Sequence, residues 1–214
     1  MPLTPVLAAA LSGASTRQFA YWRSARTTEP LLAPAHHRPG SRVSYSFADV
    51  LALRTFGYLR SKEVPVRRIR QAVAGLRKLD HHDDLSEYCL VVLGRGVGWR
   101  PSDGEVGGMT GEAGQQVLAR MADILAPFVN AQGKAVPDLC RPVPGVCVDP
   151  GIRSGFPVIE GTRIPYDLIA TLVDDSDGVA DIPELYPSVT VDAARGAAEF
   201  ACYVHAFSRR SAVA

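Results

Sequence analysis

The sequence predicts a mainly helical α+β protein with a small helical unit at each end. Apolar residues recur at helical spacing in several segments, whereas short apolar runs bounded by glycine and proline indicate a few strands. Hydrophobic residues make up 47% of the 214 residues and charged residues 21%, which is enough to bury a core in one or two domains. We divide the chain into residues 1–80, 81–140 and 141–214.

Charge is distributed unevenly along the chain. The first 80 residues carry thirteen Lys or Arg and four Asp or Glu, whereas the other 134 carry ten and eighteen. A net of +9 therefore precedes a net of −8, although the whole chain has a formal charge of +1. A basic unit suits a polyanion and an acidic unit repels one, so the two ends are expected to bind different partners.

A helix, a tight turn and a second helix are predicted at the amino terminus. The first helix runs from Pro5 to Leu11, and Gly13 lies in the break that follows it. Ser15 and Gln18 then have the spacing of a capping box, which opens the second helix.

The second helix has an apolar side and a polar, cationic side. Phe19 and Trp22 are three residues apart and can face a core. The residues near or on the other side are Thr16, Arg17, Tyr21 and Arg23. Prolines and glycine then alternate with basic and short apolar stretches over residues 30–45, which predicts two short strands joined by an exposed tip, a wing.

Two more helices complete the basic unit. Ser46 and Asp49 form another N-cap signal, and the helix that follows should end near Arg60. Pro65 suits the first turn of the last helix, which has an apolar side and a strongly basic exterior. The apolar positions are Ile69, Val73 and Leu76.

A hairpin and a helix are predicted in the middle of the chain. Cys89–Leu93 is an apolar strand candidate that a glycine turn could fold back onto Val97–Arg100. Between Gly111 and Gly133 apolar residues at helical spacing indicate an amphipathic helix, which would either pack inside the domain or join two subunits. This stripe consists of Val117, Met121, Ile124 and Phe128, with Leu118 and Leu125 beside it.

The last third begins with a proline-rich segment and ends in helices. Residues 137–150 hold four prolines and are interpreted as a tether with strand character at Val146–Val148. Gly155–Pro165 indicates a strand, a glycine turn and a helix start. Three helices should follow, at Tyr166–Val173, Val179–Tyr186 and about Thr190–Phe207, and the last two have helix-turn-helix spacing.

Short motifs of the basic unit occur in the order seen in one class of DNA-binding domain. They are Ala10-Leu11-Ser12-Gly13-Ala14-Ser15, Tyr21-Trp22-Arg23, Pro30-Leu31-Leu32-Ala33-Pro34, Gly40-Ser41-Arg42, Tyr45-Ser46 and Asp49-Val50. Residues 4–79 thus resemble the winged helix-turn-helix of MerR-type regulators. The family's cysteine-rich effector loop is absent from the sequence, so metal sensing is not implied.

This resemblance implies that the helix from Ser15 enters the major groove of operator DNA. The residues that would contact DNA are Thr16, Arg17, Tyr21, Arg23 and the wing arginines Arg38 and Arg42. General physics agrees, because a helix fits the major groove and flanking arginines neutralise phosphates and release counterions. A homodimer is expected, since one winged helix covers a single half-site.

The acidic end carries a second resemblance. It rests on the string Pro157-Val158-Ile159-Glu160-Gly161-Thr162-Arg163-Ile164-Pro165, with Ile169-Ala170, Tyr186-Pro187, Val189-Thr190 and the segment 194–200. Residues 145–205 thereby look like a small helix-turn-helix domain of uncharacterised function found in VapB-type antitoxins. The resemblance implies an antitoxin that binds and inhibits a PIN-domain ribonuclease toxin encoded beside it and represses its own operon.

Charge separates the two helix-turn-helix units. Between Ile164 and Ala194 there are seven acidic residues and neither Lys nor Arg, and such a surface repels phosphate. We interpret this unit as a three-helix domain that binds protein. Arg163, Arg209 and Arg210 are the candidate toxin contacts, because a guanidinium can pair with the carboxylates that hold a ribonuclease's metal. The alternative for the terminal pair is two solvated arginines at a frayed end.

No catalytic or metal site is expected. The string Asp80–Asp84 contains histidines and aspartates, but adjacent side chains point in different directions and no partner cluster has a suitable spacing. Gly94–Gly98 is only superficially like a nucleotide loop, because no helix follows it directly. We therefore predict neither enzyme activity nor a cofactor.

The predicted location is the cytoplasm. The apolar run from Val6 to Leu11 is only about six residues long, too short for a signal sequence or a membrane span. Four scattered cysteines without a C-x-x-C pair are interpreted as reduced core thiols. They are Cys89, Cys140, Cys147 and Cys202.

The combined expectation is an antitoxin and autorepressor of a type II toxin-antitoxin system. Operator DNA and a PIN-type ribonuclease are the expected partners, and no membrane is involved. The alternative is a stand-alone MerR-like transcription regulator with a small-molecule or protein effector.

Overall fold

The computed structural model describes residues 2–15, 18–19, 22, 43–76, 88–93, 95–101, 116–175 and 179–212, with side chains as far as Phe207. This part of the chain is α+β and mainly helical, as predicted. The helices are α1 (Pro5–Ser12), α2 (Phe47–Ser61), α3 (Val66–Leu76), α4 (Met121–Leu125), α5 (Tyr166–Asp175), α6 (Ile182–Leu185) and α7 (Val191–Ala212). The strands are β1 (Tyr88–Leu93), β2 (Gly96–Pro101), β3 (Val117–Arg120), β4 (Phe128–Val129), β5 (Ala135–Val136), β6 (Val146–Cys147) and β7 (Val158–Ile159).

Helix α1 begins and ends at local signals in the sequence. The Thr4 hydroxyl accepts a hydrogen bond from the Leu7 amide at 3.2 Å, and proline occupies the first helical position. The helix ends at Gly13, whose φ of +74° lies in the left-handed region. A side chain at Gly13 would also collide with Val136 of β5, so glycine is required there for two reasons.

The predicted capping box at Ser15 is confirmed. The Ser15 amide donates to Gln18 Oε1 at 2.7 Å, and the Gln18 amide donates to Ser15 Oγ at 3.2 Å. Gln18, Phe19 and Trp22 are helical, and we call these three residues together with Ser15 the Ser15 segment. The cap residue Ser15 thus lies two residues after Gly13.

Helix α2 is also capped as predicted, and most of its residues are buried. Ser46 Oγ accepts from the Asp49 amide at 3.1 Å, while Asp49 Oδ2 accepts from the Ser46 amide at 2.9 Å. Eleven of its fifteen residues are buried. Helix α3 buries Ile69, Ala72, Val73 and Leu76, which confirms its predicted apolar side.

Strand β1 forms the centre of a three-stranded antiparallel sheet of order β2-β1-β3. Its pairing with β2 runs from Tyr88 opposite Pro101 to Leu93 opposite Gly96, which confirms the predicted hairpin. Helix α3 covers β2, and Trp99 Nε1 donates to the Ala72 carbonyl at 2.8 Å.

The predicted helix between Gly111 and Gly133 is wrong for most of its length within the described residues. Its first part is strand β3, which pairs with the free edge of β1, and its last part is strand β4. Only the five residues of α4 are helical. Ala126 precedes Pro127 and is extended, with ψ of 161°, because proline disfavours helical geometry in the residue before it. Short apolar runs fit both strand and helix periods, so the spacing alone could not decide.

The segment interpreted as a tether is packed into the structure. Leu139 and Val146 are fully buried. Strand β6 pairs with β7, with Val146 opposite Ile159 and Cys147 opposite Val158. The strand character predicted at Val146–Val148 is therefore present in its first two residues.

The three helices predicted near the carboxyl end are confirmed as α5, a 3-10 turn at Val179–Asp181 continuing into α6, and α7. Together with β6 and β7 they form what we call the acidic module. Its core is continuous with that of α1, α2 and α3. Gly155 lies so close to Phe47 that an added Cβ would be 2.7 Å from the Phe47 Cβ, so the start of α2 rests directly on the acidic module.

The four cysteines are free thiols, but only Cys89 lies in the core. Cys140 and Cys202 are exposed and Cys147 is half-buried, so the prediction of core thiols is wrong for three of them. None of the helices in the described ranges is long and apolar enough to cross a membrane.

Removing the cap of α2 should cost a measurable part of the stability. Ser46→Ala leaves the Asp49 amide without its acceptor, and we expect the free energy of unfolding to fall by about 1 kcal/mol. Urea denaturation followed by circular dichroism measures this. Ser188→Ala, an exposed change in the loop before α7, should shift it by less than about 0.5 kcal/mol; equal effects of the two changes would contradict the capping role.

Candidate functional site

The six candidate DNA contacts lie outside the described residues. They are Thr16, Arg17, Tyr21, Arg23, Arg38 and Arg42. The structure does describe the frame around them, namely the Ser15 segment, the chain that enters α2, and the end of α1. Ring contacts and hydrogen bonds hold this frame in place.

The apolar side of the Ser15 segment is buried, as predicted. Phe19 is 1% exposed and Trp22 7% exposed. The Phe19 ring lies 5.0 Å from the ring of Tyr45, and the Trp22 ring lies 4.3 Å from that of Phe56 in α2. Aromatic pairs at these distances stabilise beyond the area that they bury, so this face of the segment is fixed against α2.

A short strand bridge closes the same frame from the other side. The Leu3 amide donates to the Tyr45 carbonyl at 2.8 Å, and the Tyr45 amide donates to the Leu3 carbonyl at 2.9 Å. This antiparallel bridge joins the amino terminus to the residue before the α2 cap. The predicted wing, residues 30–45, lies outside the described residues except for its last three positions.

Three side chains from distant parts of the chain hold the carboxyl end of α1. Tyr203 Oη donates to the Ala10 carbonyl at 3.1 Å, Arg54 Nη1 to the Leu11 carbonyl at 2.7 Å, and Asn130 Nδ2 to the Gly13 carbonyl at 2.7 Å. The last carbonyls of a helix have no partner inside the helix. We call Tyr203, Arg54 and Asn130 the α1 clamp.

The Arg54 guanidinium is enclosed by backbone carbonyls. Besides Leu11, the acceptors are Ile124 at 2.5 Å, Leu125 at 3.0 Å, Ala126 at 2.8 Å and Pro137 at 2.6 Å. The side chain has no exposed surface. Burial lowers the pKa of Arg54 to about 10, against an opposing effect of the negative charge of Asp138, and the group stays charged at neutral pH.

Asn130 serves two structures at once. Its Oδ1 accepts from the amides of Gln132 and Lys134, at 3.0 and 2.9 Å, within the turn between β4 and β5. Its Nδ2 then reaches the Gly13 carbonyl. The β4–β5 turn therefore fixes the orientation of the amide that holds the end of α1.

Tyr203 brings helix α7 of the acidic module to α1. Its ring lies 6.3 Å from that of Phe200 and 6.0 Å from that of Phe207. Burial raises the pKa of Tyr203 to about 12, although the positive charge of Arg54 acts in the opposite direction. The hydroxyl is thus a neutral donor at physiological pH.

A small pocket lies beside the clamp. Its walls include Gly13, Gln18, Trp22, Arg60 and Asn130. Its free space holds about one water molecule, which is too little for an organic effector in this conformation.

The acidic module presents its charges to solvent. Asp167, Asp174, Asp181, Glu184 and Asp192 are all exposed. Of these five carboxylates, only Asp192 has an ion-pair partner among the described residues, namely Arg195 at 2.7 Å. Two leucines on the same elements, Leu168 and Leu185, are 41% and 63% exposed. A basic protein surface with apolar contacts would complement such a face.

The candidate toxin contacts lie apart in the chain. Arg163 is exposed after β7, and its carbonyl accepts from Arg153 Nη1 at 3.3 Å. Arg209 and Arg210 are in the last turns of α7, beyond the residues whose side chains are described. The structure therefore places the first one on the surface of the acidic module and the other two on its longest helix.

Sequence reasoning missed the α1 clamp. Arg54 had a detectable signal, since it is the only charged residue in the apolar run from Val50 to Leu59. Asn130 and Tyr203 had none, because their partners are 117 and 193 residues away. Within the described ranges, no group of three His, Cys, Asp or Glu could hold a metal ion, and the string Asp80–Asp84 lies outside them.

Comparison with known proteins relates the acidic module to a family and the whole chain to a fold. Residues 146–201 match a family described as "Protein of unknown function (DUF433)", the segment that carried the second sequence resemblance. No curated protein matches the chain significantly. The crystal structure of Rv2018 from Mycobacterium tuberculosis is similar, with a TM-score of 0.52 and 16% identity over 92% of this chain and 97% of that chain. At this identity the likeness is one of fold.

Arg54 should be indispensable for stability. Arg54→Ala removes donors from five backbone carbonyls, all of them in buried or partly buried hydrogen bonds. We expect the free energy of unfolding to fall by at least about 3 kcal/mol. Arg54→Lys keeps the charge but not the planar set of donors, so its free energy of unfolding should lie between those of the wild type and Arg54→Ala. Urea denaturation measures both; Arg67→Ala, an exposed change in α3, serves as the control, and a loss for Arg54→Ala as small as the control's would refute the role.

Proposed function

We propose that this protein is an antitoxin and autorepressor whose basic half binds operator DNA and whose acidic module binds a ribonuclease toxin of the PIN type. The observation that carries the proposal is the charge split along a single connected fold. A net of +9 in the first 80 residues precedes a net of −8. The two surfaces repel each other's partners, so each is suited to a different one.

The basic half supports DNA binding through the order of its parts. Helix α1, the left-handed turn at Gly13 and the capped Ser15 segment follow one another in the order that a helix-turn-helix would require, which supports this part of the proposal. The buried pair Phe19 and Trp22 fixes one side of the second helix, which leaves its other side for the groove. Helix α3 adds Arg67, which is exposed, at the edge of the same half. A homodimer would place two such units on a symmetric operator.

The acidic module supports protein binding. Its exposed carboxylates on α5, the 3-10 turn and α6 argue against a second DNA surface, and the exposed Leu168 and Leu185 offer apolar contacts. In this proposal Arg163, Arg209 and Arg210 pair with carboxylates of the toxin. The match of residues 146–201 to a family of unknown function covers the segment of the second resemblance but names neither an antitoxin nor a partner.

DNA binding can be tested on the fragment upstream of the gene. A dimer with about six phosphate contacts should give a slope near −5 for log K against log salt. Arg23→Ala with Arg42→Ala removes about four of these contacts per dimer, so the slope should fall to between about −1 and −2. Fluorescence anisotropy at several salt concentrations measures this, and Arg195→Ala in the acidic module is the control. Operator binding that depended on Arg163 and not on the front arginines would contradict the proposal.

Toxin binding can be tested by co-purification with the product of the neighbouring reading frame. Asp174→Lys with Asp181→Lys reverses two exposed charges of the acidic module, and we expect the affinity to fall at least about tenfold. Glu63→Lys with Asp123→Lys makes the same charge change at two exposed positions outside the module. Arg209→Ala with Arg210→Ala should weaken inhibition of the ribonuclease more than binding. If no neighbouring product binds while operator DNA does, the chain is instead a stand-alone regulator.

A further inference from the structure

We infer that Tyr203 of the acidic module is a positioning residue for the DNA-reading segment, acting through the carboxyl end of α1. This inference rests on the proposed function. Tyr203 Oη donates to the Ala10 carbonyl, 193 positions away in sequence, at 3.1 Å. The hydrogen bond joins the longest helix of the acidic module to the last turn before the predicted DNA-reading segment.

The geometry of α1 explains why this carbonyl needs an outside partner. In a continuing helix the Ala14 amide would donate to the Ala10 carbonyl. The helix stops at Gly13, and the Ala14 amide donates instead to Ser12 Oγ at 3.4 Å. The Ala10 carbonyl is therefore left to Tyr203, and a buried carbonyl without a donor is costly.

The end of α1 controls where the Ser15 segment lies. Only Gly13 and Ala14 separate the last residue of α1 from the cap residue Ser15. The Gly13 carbonyl is held by Asn130, and Val136 occupies the space that a side chain at residue 13 would need. Little freedom therefore remains between the end of α1 and Ser15. A shift of the last turn of α1 is consequently passed on to the Ser15 segment.

The other end of the link reaches the proposed toxin surface. Tyr203 follows Phe200 on α7, and the Phe200 ring packs 4.8 Å from that of Tyr166 at the start of α5. Helix α5 also carries the exposed Asp167 and Leu168. A partner bound there contacts a helix that packs on α7, and α7 holds α1. The sites are thus connected by packed side chains, which is one route by which binding at one site can be coupled to the other.

The two remaining clamp residues define the alternative against which Tyr203 must be tested. Arg54 and Asn130 hold the same turn through Leu11 and Gly13, but neither belongs to the acidic module. If they suffice, removal of the Tyr203 hydroxyl changes stability alone. If Tyr203 positions the turn, its removal changes DNA binding and local exchange near residue 13.

The test is Tyr203→Phe in the full-length chain, with Tyr166→Phe as the matched control. Both changes remove one phenol hydroxyl from a half-buried or buried ring of the acidic module, but only the first removes a bond to α1. We expect Tyr203→Phe to weaken operator binding about three- to tenfold, corresponding to one hydrogen bond, with unchanged affinity for the toxin. Amide exchange of residues 12–19 should accelerate in Tyr203→Phe and not in Tyr166→Phe.

The measurements separate failure of the inference from failure of the proposed function. Operator affinity and exchange rates that are the same in both variants would overturn the inference while the function stands. If the wild-type chain binds no operator, the proposed function fails, and the exchange comparison still decides whether Tyr203 positions the turn. Faster exchange throughout the chain, rather than at residues 12–19, would also overturn the inference, because it indicates a general loss of stability.

Discussion

The enclosed guanidinium of Arg54 is the constraint on which the structure depends. One side chain on α2 donates to carbonyls of α1, of the turn after α4, and of the segment that leads to β6. A buried charge is tolerated only where hydrogen bonds replace its hydration, and here neutral carbonyl dipoles do so, with the Phe128 ring 5.1 Å away. Because the acceptors come from three separate stretches of chain, the guanidinium is satisfied only when all of them are in place. Arg54 therefore links the basic half to the middle of the chain.

The acidic module is joined to that unit by three further contacts. Gly155 lies against Phe47 at the start of α2, Tyr203 reaches the end of α1, and Lys134 Nζ lies 5.2 Å above the Phe207 ring. A linear tether between two independent domains would have left each of them free to move. The packing of residues 137–150 removes that freedom, because Leu139 and Val146 are buried and β6 is paired with β7.

Local sequence signals predicted much of the secondary structure, whereas the tertiary contacts could not be predicted. Ser15, Ser46 and Gly13 act within four residues of themselves, so the sequence contains the information that places the helix ends. The helix predicted from the apolar stripe Val117 to Phe128 was wrong because the start of this run pairs as strand β3 with the free edge of β1. For the candidate site, the sequence indicated the buried Phe19 and Trp22 correctly. The clamp by Arg54, Asn130 and Tyr203 depends on which carbonyls the fold brings near, and no local pattern records that.

The charged residues that are buried do not alter the charge difference between the two ends of the chain. A count along the sequence treats every ionisable residue as surface, yet Arg54 is fully buried and Asp49 is 8% exposed within the α2 capping box. These two withdraw one charge of each sign, so they leave the excess of +9 in the first 80 residues unchanged. The described carboxylates of the acidic module on α5, the 3-10 turn and α6 are exposed and are not consumed by internal ion pairs. The buried charge of Arg54 is stabilised by hydrogen bonds to five carbonyls and by the negative charge of Asp138. None of the carboxylates on α5, the 3-10 turn and α6 is used for this, and they stay at the surface.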